Sequence, residues 1–146
     1  MKKSSYVGVL VEAMQIAFPL REVERVVRAV AVHPVPRTGG CLLGTIDVAG
    51  DLLPLYDLRR MFGVPSRPLQ ADDRMLLLRA PVRCALLVDG VTGTVEADAP
   101  SLTGEFGLHA AGLRGVVRTD EGVLLVHEPR LLLAMEHAMP LAERHG

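Results

Sequence analysis

Short runs of apolar residues alternate with turn residues along most of this chain. The clearest example is two apolar segments, residues 45–48 and 52–56, that flank the turn Ala49-Gly50-Asp51. Glycine gives the backbone freedom that a tight turn requires, so this pattern predicts a β-hairpin. We expect its second strand to have one free edge, because Pro54 cannot donate a hydrogen bond to a neighbouring strand.

A short helical turn is predicted directly after this hairpin. The carboxylate of Asp57 can accept hydrogen bonds from the first amides of a helix, Leu58 begins its apolar side, and Gly63 can end it. Arg59 would then lie at the rim of a rigid element.

The same pattern occurs again about seventy residues later. Residues 115–122 repeat the strand, turn and glycine, residues 123–126 repeat the second strand, and His127-Glu128 stands where Tyr56-Asp57 stood. A weaker repeat aligns residues 16–27 with residues 84–95. Two repeats in the same order predict two related β-rich halves.

The rest of the chain contains further short apolar segments. We predict strands over 6–11, 14–18, 75–78, 84–88 and 91–96, a helical turn to about residue 23 followed by extended chain to 32, and a surface loop over 100–113. An apolar stripe after Pro129 predicts a terminal helix over 129–139. Many short strands favour a mainly β protein made of two packed barrels of about five strands each.

The length of 146 residues suits one domain. We interpret residues 1–146 as a single domain with a first barrel over 7–66 and a second over 70–133, with exchange of strands between the barrels possible. The proline-containing segment 64–68 is the best candidate for the crossing between them.

Composition excludes several classes of protein. Hydrophobic residues make up 49% of the chain and the mean hydropathy is +0.30, but no apolar run approaches the roughly 20 residues that span a bilayer. The apolar stretch behind the basic N-terminus is too short for a secretory signal and ends at Glu12. We therefore expect a cytoplasmic protein with no direct membrane insertion, in which Cys41 and Cys84 are reduced thiols.

Charge and aromatic content argue against nucleic-acid binding. The 16 basic and 17 acidic residues give a net charge of -1, and five scattered aromatic residues offer no platform for base stacking. The five histidines and two cysteines lack the spacing of metal ligands, so we expect neither a metal site nor a cofactor.

Residues 43–63 resemble the CheW family of chemotaxis coupling proteins. In that family a hairpin with a central glycine leads into Pro-Val-x-Asp-Leu-Arg-x-x-Phe, and here it leads into Pro54-Leu-Tyr-Asp-Leu-Arg-Arg-Met-Phe62. Residues 85–91 look like the family's Val-Asp-x-Val strand, and residues 113–116 and 123–133 look like its closing strands and leucine-rich last turn. The resemblance covers about residues 7–133.

This resemblance implies a non-enzymatic adaptor built from two SH3-like five-stranded barrels. Such an adaptor links the cytoplasmic helical tip of a chemoreceptor to the regulatory domain of a CheA-type histidine kinase. The implied partner-binding residues are a groove-lining segment and the Asp-Leu-Arg motif: Val23, Glu24, Val26, Val27, Leu58 and Arg59.

Three departures from the family pattern leave the identity of the partners open. The turn Asp47-Val48-Ala49-Gly50 replaces the usual Asn-Leu-Arg-Gly, Arg25 stands where an acidic residue is more usual, and His127-Glu128-Pro129 replaces an ending that contains aspartate. One alternative is a regulatory docking module of another kinase pathway. Another is a small hydrolase or ligand-binding barrel, in which His127 and Glu128 act as acid and base in a pocket between the halves.

Overall fold

The computed structural model of the chain describes residues 3–36, 40–79, 82–98, 113–120, 122–130 and 133. Short strands predominate in these residues, joined by a 3-10 turn (Leu20–Glu22) and one short helix, α1 (Leu58–Met61). The strands are β1 (Ser4–Val11), β2 (Met14–Pro19), β3 (Val23–Arg28), β4 (His33–Pro34), β5 (Leu42–Val48), β6 (Asp51–Asp57), β7 (Arg74–Leu78), β8 (Cys84–Val88), β9 (Gly90–Ala97), β10 (Leu113–Thr119) and β11 (Gly122–His127).

The strands form two sheets. Sheet 1 has the order β10-β11-β2-β1-β9, and sheet 2 has the order β3-β7-β8-β6-β5-β4. The mainly β architecture with two packed units of about five strands is thereby confirmed. Sheet 2 carries one more strand than predicted, because the two-residue β4 pairs with β5 through His33 and Pro34. A strand of two residues has no periodicity that a sequence could show.

The internal repeat is confirmed by the pairing of the strands. The order β10-β11-β2-β1-β9 matches β5-β6-β8-β7-β3 strand for strand, and the parallel pairs β11 with β2 and β6 with β8 occupy the same place. Ala17 lies opposite Val126 in sheet 1, and the equivalent residues Ala85 and Leu55 lie opposite each other in sheet 2. The two halves therefore share their register as well as their strand order.

Irregularities of the sheets repeat at equivalent positions too. The register shifts at Glu24, where β3 faces β7, and at the equivalent Thr92, where β9 faces β1. It also shifts at Leu43 in one hairpin and at Arg114 in the other. Such bulges bend a strand and re-aim its side chains, so they give both halves the same curvature.

Two strands cross between the halves. After β2 the chain passes through the 3-10 turn into β3, which belongs to sheet 2, and after β8 it passes into β9, which belongs to sheet 1. The sheets therefore do not divide at the predicted boundary between residues 66 and 70. The strand exchange that the sequence left possible joins the two halves.

The apolar core has three layers. A central cluster joins the two sheets and includes Phe18 from β2, Leu86 from β8 and Leu58 from α1. The other two clusters fill the far face of each sheet. In β8, Leu86 points into the central cluster and Leu87 into the cluster of sheet 2, so this strand is buried on both faces. Residues 75–78 of β7 are likewise shared between the two clusters, and this double burial explains the unbroken apolar sequences of β8 and of residues 75–78.

The predicted free edge of β6 occurs over part of the strand. β6 lies between β5 and β8, but its pairing with β8 covers only Leu55, Tyr56 and Asp57, so residues 51–54 are not paired on that side. Pairing with β8 begins at Leu55, directly after Pro54, so the missing amide of the proline falls where that ladder has not yet started. The proline is thus tolerated in an interior strand.

Several predicted boundaries agree with the structure, and two segments fall largely outside its description. Among the residues of the predicted terminal helix, Pro129, Arg130 and Leu133 are helical, and Leu133 is buried in the central cluster. The remainder of 129–139, and nearly all of the predicted loop over 100–113, lie outside the described residues. No helix in the described part of the chain is long and apolar enough to cross a membrane.

Replacing Gly44 by alanine is expected to destabilise the fold by about 1–3 kcal/mol. A Cβ atom at this position would overlap the carbonyl oxygen of His33 on β4, which is backbone and cannot rotate away. The measurement is urea denaturation of the variant beside Gly50→Ala. A Cβ at Gly50 meets nothing nearby, although the φ of 91° still carries some strain. Equal losses in the two variants would contradict a clash with β4.

Candidate partner-binding site

Helix α1 positions the arginine of the Asp-Leu-Arg motif. Asp57 caps the helix as predicted, since its carboxylate accepts from the Arg59 amide at 3.0 Å, and Ser66 Oγ donates to the other oxygen at 2.5 Å. The neighbouring Leu58 is fully buried in the central cluster. This anchoring fixes the direction in which the Arg59 side chain leaves the helix.

The Arg59 side chain turns back into the protein and is only 12% exposed. Its Nε donates to the carbonyl oxygen of Pro65 at 2.9 Å, and its Nη1 donates to Oδ2 of Asp89 at 2.7 Å. Its Nη2 lies 3.8 Å from a carboxylate oxygen of Glu12. All three guanidinium nitrogens are therefore engaged within the chain, and little of Arg59 is presented to a partner.

Asp89 is the centre of a cluster that the sequence did not reveal. Besides Arg59, it accepts from the backbone amide of Glu12 at 2.7 Å and from Nη2 of Arg67 at 3.1 Å. Arg67 also makes two hydrogen bonds to the carboxylate of Asp73, at 3.0 and 2.8 Å. We call these five residues, Glu12, Arg59, Arg67, Asp73 and Asp89, the Asp89 junction.

Opposing effects act on the pKa of Asp73. Desolvation by burial raises it, but hydrogen bonds from Arg67 and the Gln70 amide, with the charges of Arg67 and Arg59, outweigh that effect and leave the pKa below its usual value. Asp73 is therefore held in its charged form.

The valines predicted to line a groove on β3 have different environments. Val23 is buried in the central cluster, Val27 is half-buried against the core of sheet 2, and Val26 is 36% exposed on the outer strand of that sheet. Arg25 and Arg28 on the same strand are exposed. The accessible part of this segment is therefore Val26 and its arginine neighbours.

Glu24 belongs to a different surface, at one end of sheet 2. Arg83 donates to both carboxylate oxygens of Glu24, at 3.2 and 3.0 Å, and to Asp51 at 3.3 Å. Beside this ion-paired group two apolar side chains face solvent, Leu52 at 68% exposure and Val82 at 55%. We call Glu24, Asp51, Leu52, Val82 and Arg83 the charged end.

The equivalent positions of sheet 1 lack this arginine–carboxylate group. Where the charged end has Arg83, Glu24 and Asp51, the internal repeat places Gln15, Thr92 and Gly122. Both apolar positions are retained: Leu52 corresponds to Val123, which is 48% exposed, and Val82 corresponds to Met14, which is partly buried against the central cluster. The two halves share a backbone but present chemically different ends.

The six predicted partner-binding residues thus do not form one surface. Val23 and Leu58 are core residues, Glu24 lies at the charged end, and Arg59 lies in the Asp89 junction. Only Val26, with part of Val27, remains on the β3 surface. The sequence could not separate these roles. Which β3 side chains face solvent depends on the bulge at Glu24, and the direction of the Arg59 side chain depends on its bond to Asp89.

His127 and Glu128 are both buried rather than convergent on a described cavity. Burial lowers the pKa of His127, and a hydrogen bond with the Leu125 carbonyl oxygen partly offsets this effect. The His127 ring packs edge-on against the Phe62 ring, with 4.7 Å between the ring centroids. Glu128 accepts from Arg114 at 2.9 Å. Two surface cavities of about 360 and 440 Å³ within the described residues are lined by other side chains.

Other candidate chemistry is sparse in the described part of the chain. Burial raises the pKa of the Cys84 thiol to about 11, so that thiol is unreactive at neutral pH. No group of three or more His, Cys, Asp or Glu side chains among the described residues could hold a metal ion.

Comparison with known proteins gives a consistent family assignment. Residues 5–137 match the family model described as "CheW-like domain". The chain is 27% identical to a chemotaxis protein CheW of Helicobacter pylori over 74 residues, which are 51% of this chain and 45% of that protein. It is 24% identical to a chemotaxis protein CheW of Thermotoga maritima over 122 residues, which are 80% and 78% of the two chains. The crystal structure of the scaffolding protein TtCheW from Thermoanaerobacter tengcongensis aligns with a TM-score of 0.79 at 21% identity, covering 90% of this chain and 92% of that one.

Proposed function

Because the chain belongs to the CheW-like domain family, we propose that it is an adaptor that couples chemoreceptors to a CheA-type histidine kinase. The observation that carries this proposal is the family match over residues 5–137, which is supported by relatives named chemotaxis protein CheW and by a fold shared with a scaffolding protein. In this role the protein performs no chemistry and works in the cytoplasm, where it holds two partners in a fixed geometry.

The charged end is the surface we assign to the regulatory domain of the kinase. Protein interfaces commonly place a few apolar side chains at the centre and charged side chains at the rim, with arginine enriched among the residues that contribute most. Leu52 and Val82 supply the apolar centre, and Arg83, held by Glu24 and Asp51, supplies an oriented rim. The equivalent positions of sheet 1, Gln15, Thr92 and Gly122, carry no such arginine–carboxylate group, so a partner that contacts this group would distinguish the two ends.

The outer surface of β3 is the face we assign to the helical tip of the receptor. Val26 offers an exposed apolar contact between Arg25 and Arg28, whose charges suit an acidic helix surface. This face lies on the strand that crosses between the two halves. The receptor and the kinase would therefore contact separate surfaces of one rigid body.

We expect Leu52→Asp to weaken binding of the kinase regulatory domain at least about tenfold, because a buried carboxylate in an apolar contact loses its hydration without a partner. The measurement is titration calorimetry with the regulatory domain of the CheA-type kinase from the same organism. Binding of a receptor cytoplasmic fragment by the same variant should be unchanged.

Val123→Asp is the matched control, since Val123 occupies the equivalent position in sheet 1 and is also exposed. It should bind the kinase domain like the wild type. Equal weakening by both variants, or by neither, would contradict the assignment of the charged end. If the wild type binds no CheA-type domain, the adaptor proposal fails and a regulatory docking module of another kinase pathway becomes the hypothesis to test.

A further inference from the structure

The Asp89 junction lies where the two sheets meet. Asp89 occupies the single position between β8 of sheet 2 and β9 of sheet 1, which is one of the two places where the chain crosses. Its backbone amide donates to Leu10 of β1 at 2.9 Å, and its side chain accepts from the Glu12 amide in the β1–β2 turn. Asp89 is thereby fixed to sheet 1 on one side.

Two arginines connect Asp89 to sheet 2. Arg59 comes from α1, which directly follows β6, and Arg67 reaches Asp89 while it also holds Asp73 at the start of β7. These contacts involve little exposed surface, since the side chains of Arg59, Asp89 and Asp73 are 12%, 17% and 3% exposed. The crossing residue Asp89, which hydrogen bonds fix to sheet 1, is therefore also held by guanidinium groups that belong to the half of sheet 2.

The apolar cluster between the sheets stabilises their contact mainly through buried area. Hydrophobic burial is non-directional, so it constrains the relative orientation of two sheets less sharply than hydrogen bonds do. Charge-assisted hydrogen bonds require donor and acceptor to lie within narrow limits of distance and angle. The contacts of Arg59 with Asp89 and with the Pro65 carbonyl oxygen supply this kind of restraint.

We propose that Arg59 is a positioning residue that acts through Asp89 to set the orientation of sheet 1 relative to sheet 2, and that it is not a contact to a partner. The effect of Arg59 on coupling, which the family resemblance implies, would then be transmitted through the geometry of the two halves. The inference about orientation stands on intramolecular contacts, and only its consequence for coupling rests on the proposed function.

The test measures the distance between the two sheets in the absence of any partner. Spin labels are placed by Leu52→Cys in sheet 2 and Val123→Cys in sheet 1, both exposed positions, in a Cys41→Ser background. Cys84 can stay, because it is buried and its thiol pKa is raised to about 11. Electron–electron double resonance should give one narrow distance distribution for the otherwise unchanged protein.

Arg59→Ala should broaden this distribution or shift its maximum, and Asp89→Ala should do the same. The double variant should be no broader than Asp89→Ala, because Asp89→Ala already removes the contact with Arg59 together with those of Arg67 and the Glu12 amide. Arg114→Ala is the control: it also removes an arginine–carboxylate ion pair, at 2.9 Å compared with 2.7 Å for Arg59 and Asp89, but this pair does not involve Asp89, so the distribution should stay narrow. If either alanine variant fails to fold, Asp89→Asn keeps the size of the side chain and removes the charge, and it should broaden the distribution to a smaller extent.

An unchanged distribution in Arg59→Ala or Asp89→Asn would overturn the proposal, as would broadening that adds up in the double variant. A parallel titration with the kinase domain separates this result from the proposed function. If Arg59→Ala loses binding while the distribution stays narrow, Arg59 contacts the partner directly. If the wild type binds no kinase domain, the adaptor function fails, and the positioning role is still decided by the distances.

Discussion

Replacing Leu86 by alanine is expected to cost about 2–5 kcal/mol of folding free energy, a large part of the roughly 5–15 kcal/mol that stabilises an ordinary domain. Leu86 is 1% exposed in the central cluster, on a strand that is itself in the middle of sheet 2. Neighbouring strands on both sides hold its backbone, so the cavity left by the missing atoms cannot collapse easily. Urea denaturation followed by circular dichroism measures the loss.

Leu52→Ala is the control for this result. Leu52 is a leucine in a strand of the same sheet, but it is 68% exposed, so its truncation should change stability by no more than about 0.5 kcal/mol. If Leu86→Ala cost no more than Leu52→Ala, the central cluster could not be the main connection between the two sheets.

The repeat in the sequence carried most of the information about the fold. Matching residues 44–63 with the region after 115, and residues 16–27 with residues 84–95, places Ala17 and Ala85 in equivalent positions, and the structure pairs them with the equivalent Val126 and Leu55. Local periodicity sufficed here because each hairpin is formed by neighbouring segments whose turn residues are visible in the sequence. The positions of the hairpins in the chain, and their equivalence in the two halves, could therefore be predicted from the sequence.

It was harder to predict from the sequence that β3 and β9 each join the sheet opposite to that of the preceding strand. Each follows its preceding strand after only a few residues, and its apolar pattern would suit pairing within either half. The choice is made by burial over the whole molecule, since the exchange lets β7 and β8 be covered on both faces. The same limit applies at Pro54: the sequence indicates an unpaired edge there, but it does not show that β8 pairs with the residues directly after the proline.

In the candidate site, too, contacts between residues close in sequence could be predicted, whereas contacts between distant residues could not. The cap at Asp57 was predictable because the accepting carboxylate and the donating amide of Arg59 are two residues apart. The partner of the Arg59 side chain, Asp89, is 30 residues away, and nothing in the spacing indicates it. The charged end likewise joins Glu24 and Arg83 across 59 residues.

Asp73→Asn is expected to cost about 2 kcal/mol at neutral pH, because it leaves the Arg67 guanidinium in a mostly buried site without its two charge-assisted bonds. Breaking a fully buried pair costs about 3–5 kcal/mol, and the 26% exposure of Arg67 reduces that figure. Asp51→Asn serves as the control: its carboxylate also pairs with an arginine, but at 57% exposure, so we expect a loss below about 1 kcal/mol.

The cost of Asp73→Asn should also depend on pH, in a direction set by the lowered pKa of Asp73 in the folded protein. In the unfolded chain this carboxyl takes up a proton near its usual pKa of about 4, whereas in the folded protein it does so only at lower pH. The unfolded state therefore binds more protons in this range, and the stability that Asp73 contributes is fully present above pH 4 to 5 and is lost as the pH falls through the folded pKa. Urea midpoints of the wild type and Asp73→Asn should thus differ at pH 7 and converge as the pH is lowered below the usual pKa of about 4, while a difference that stays constant as the pH falls would show that the charge of Asp73 does not stabilise the Asp89 junction.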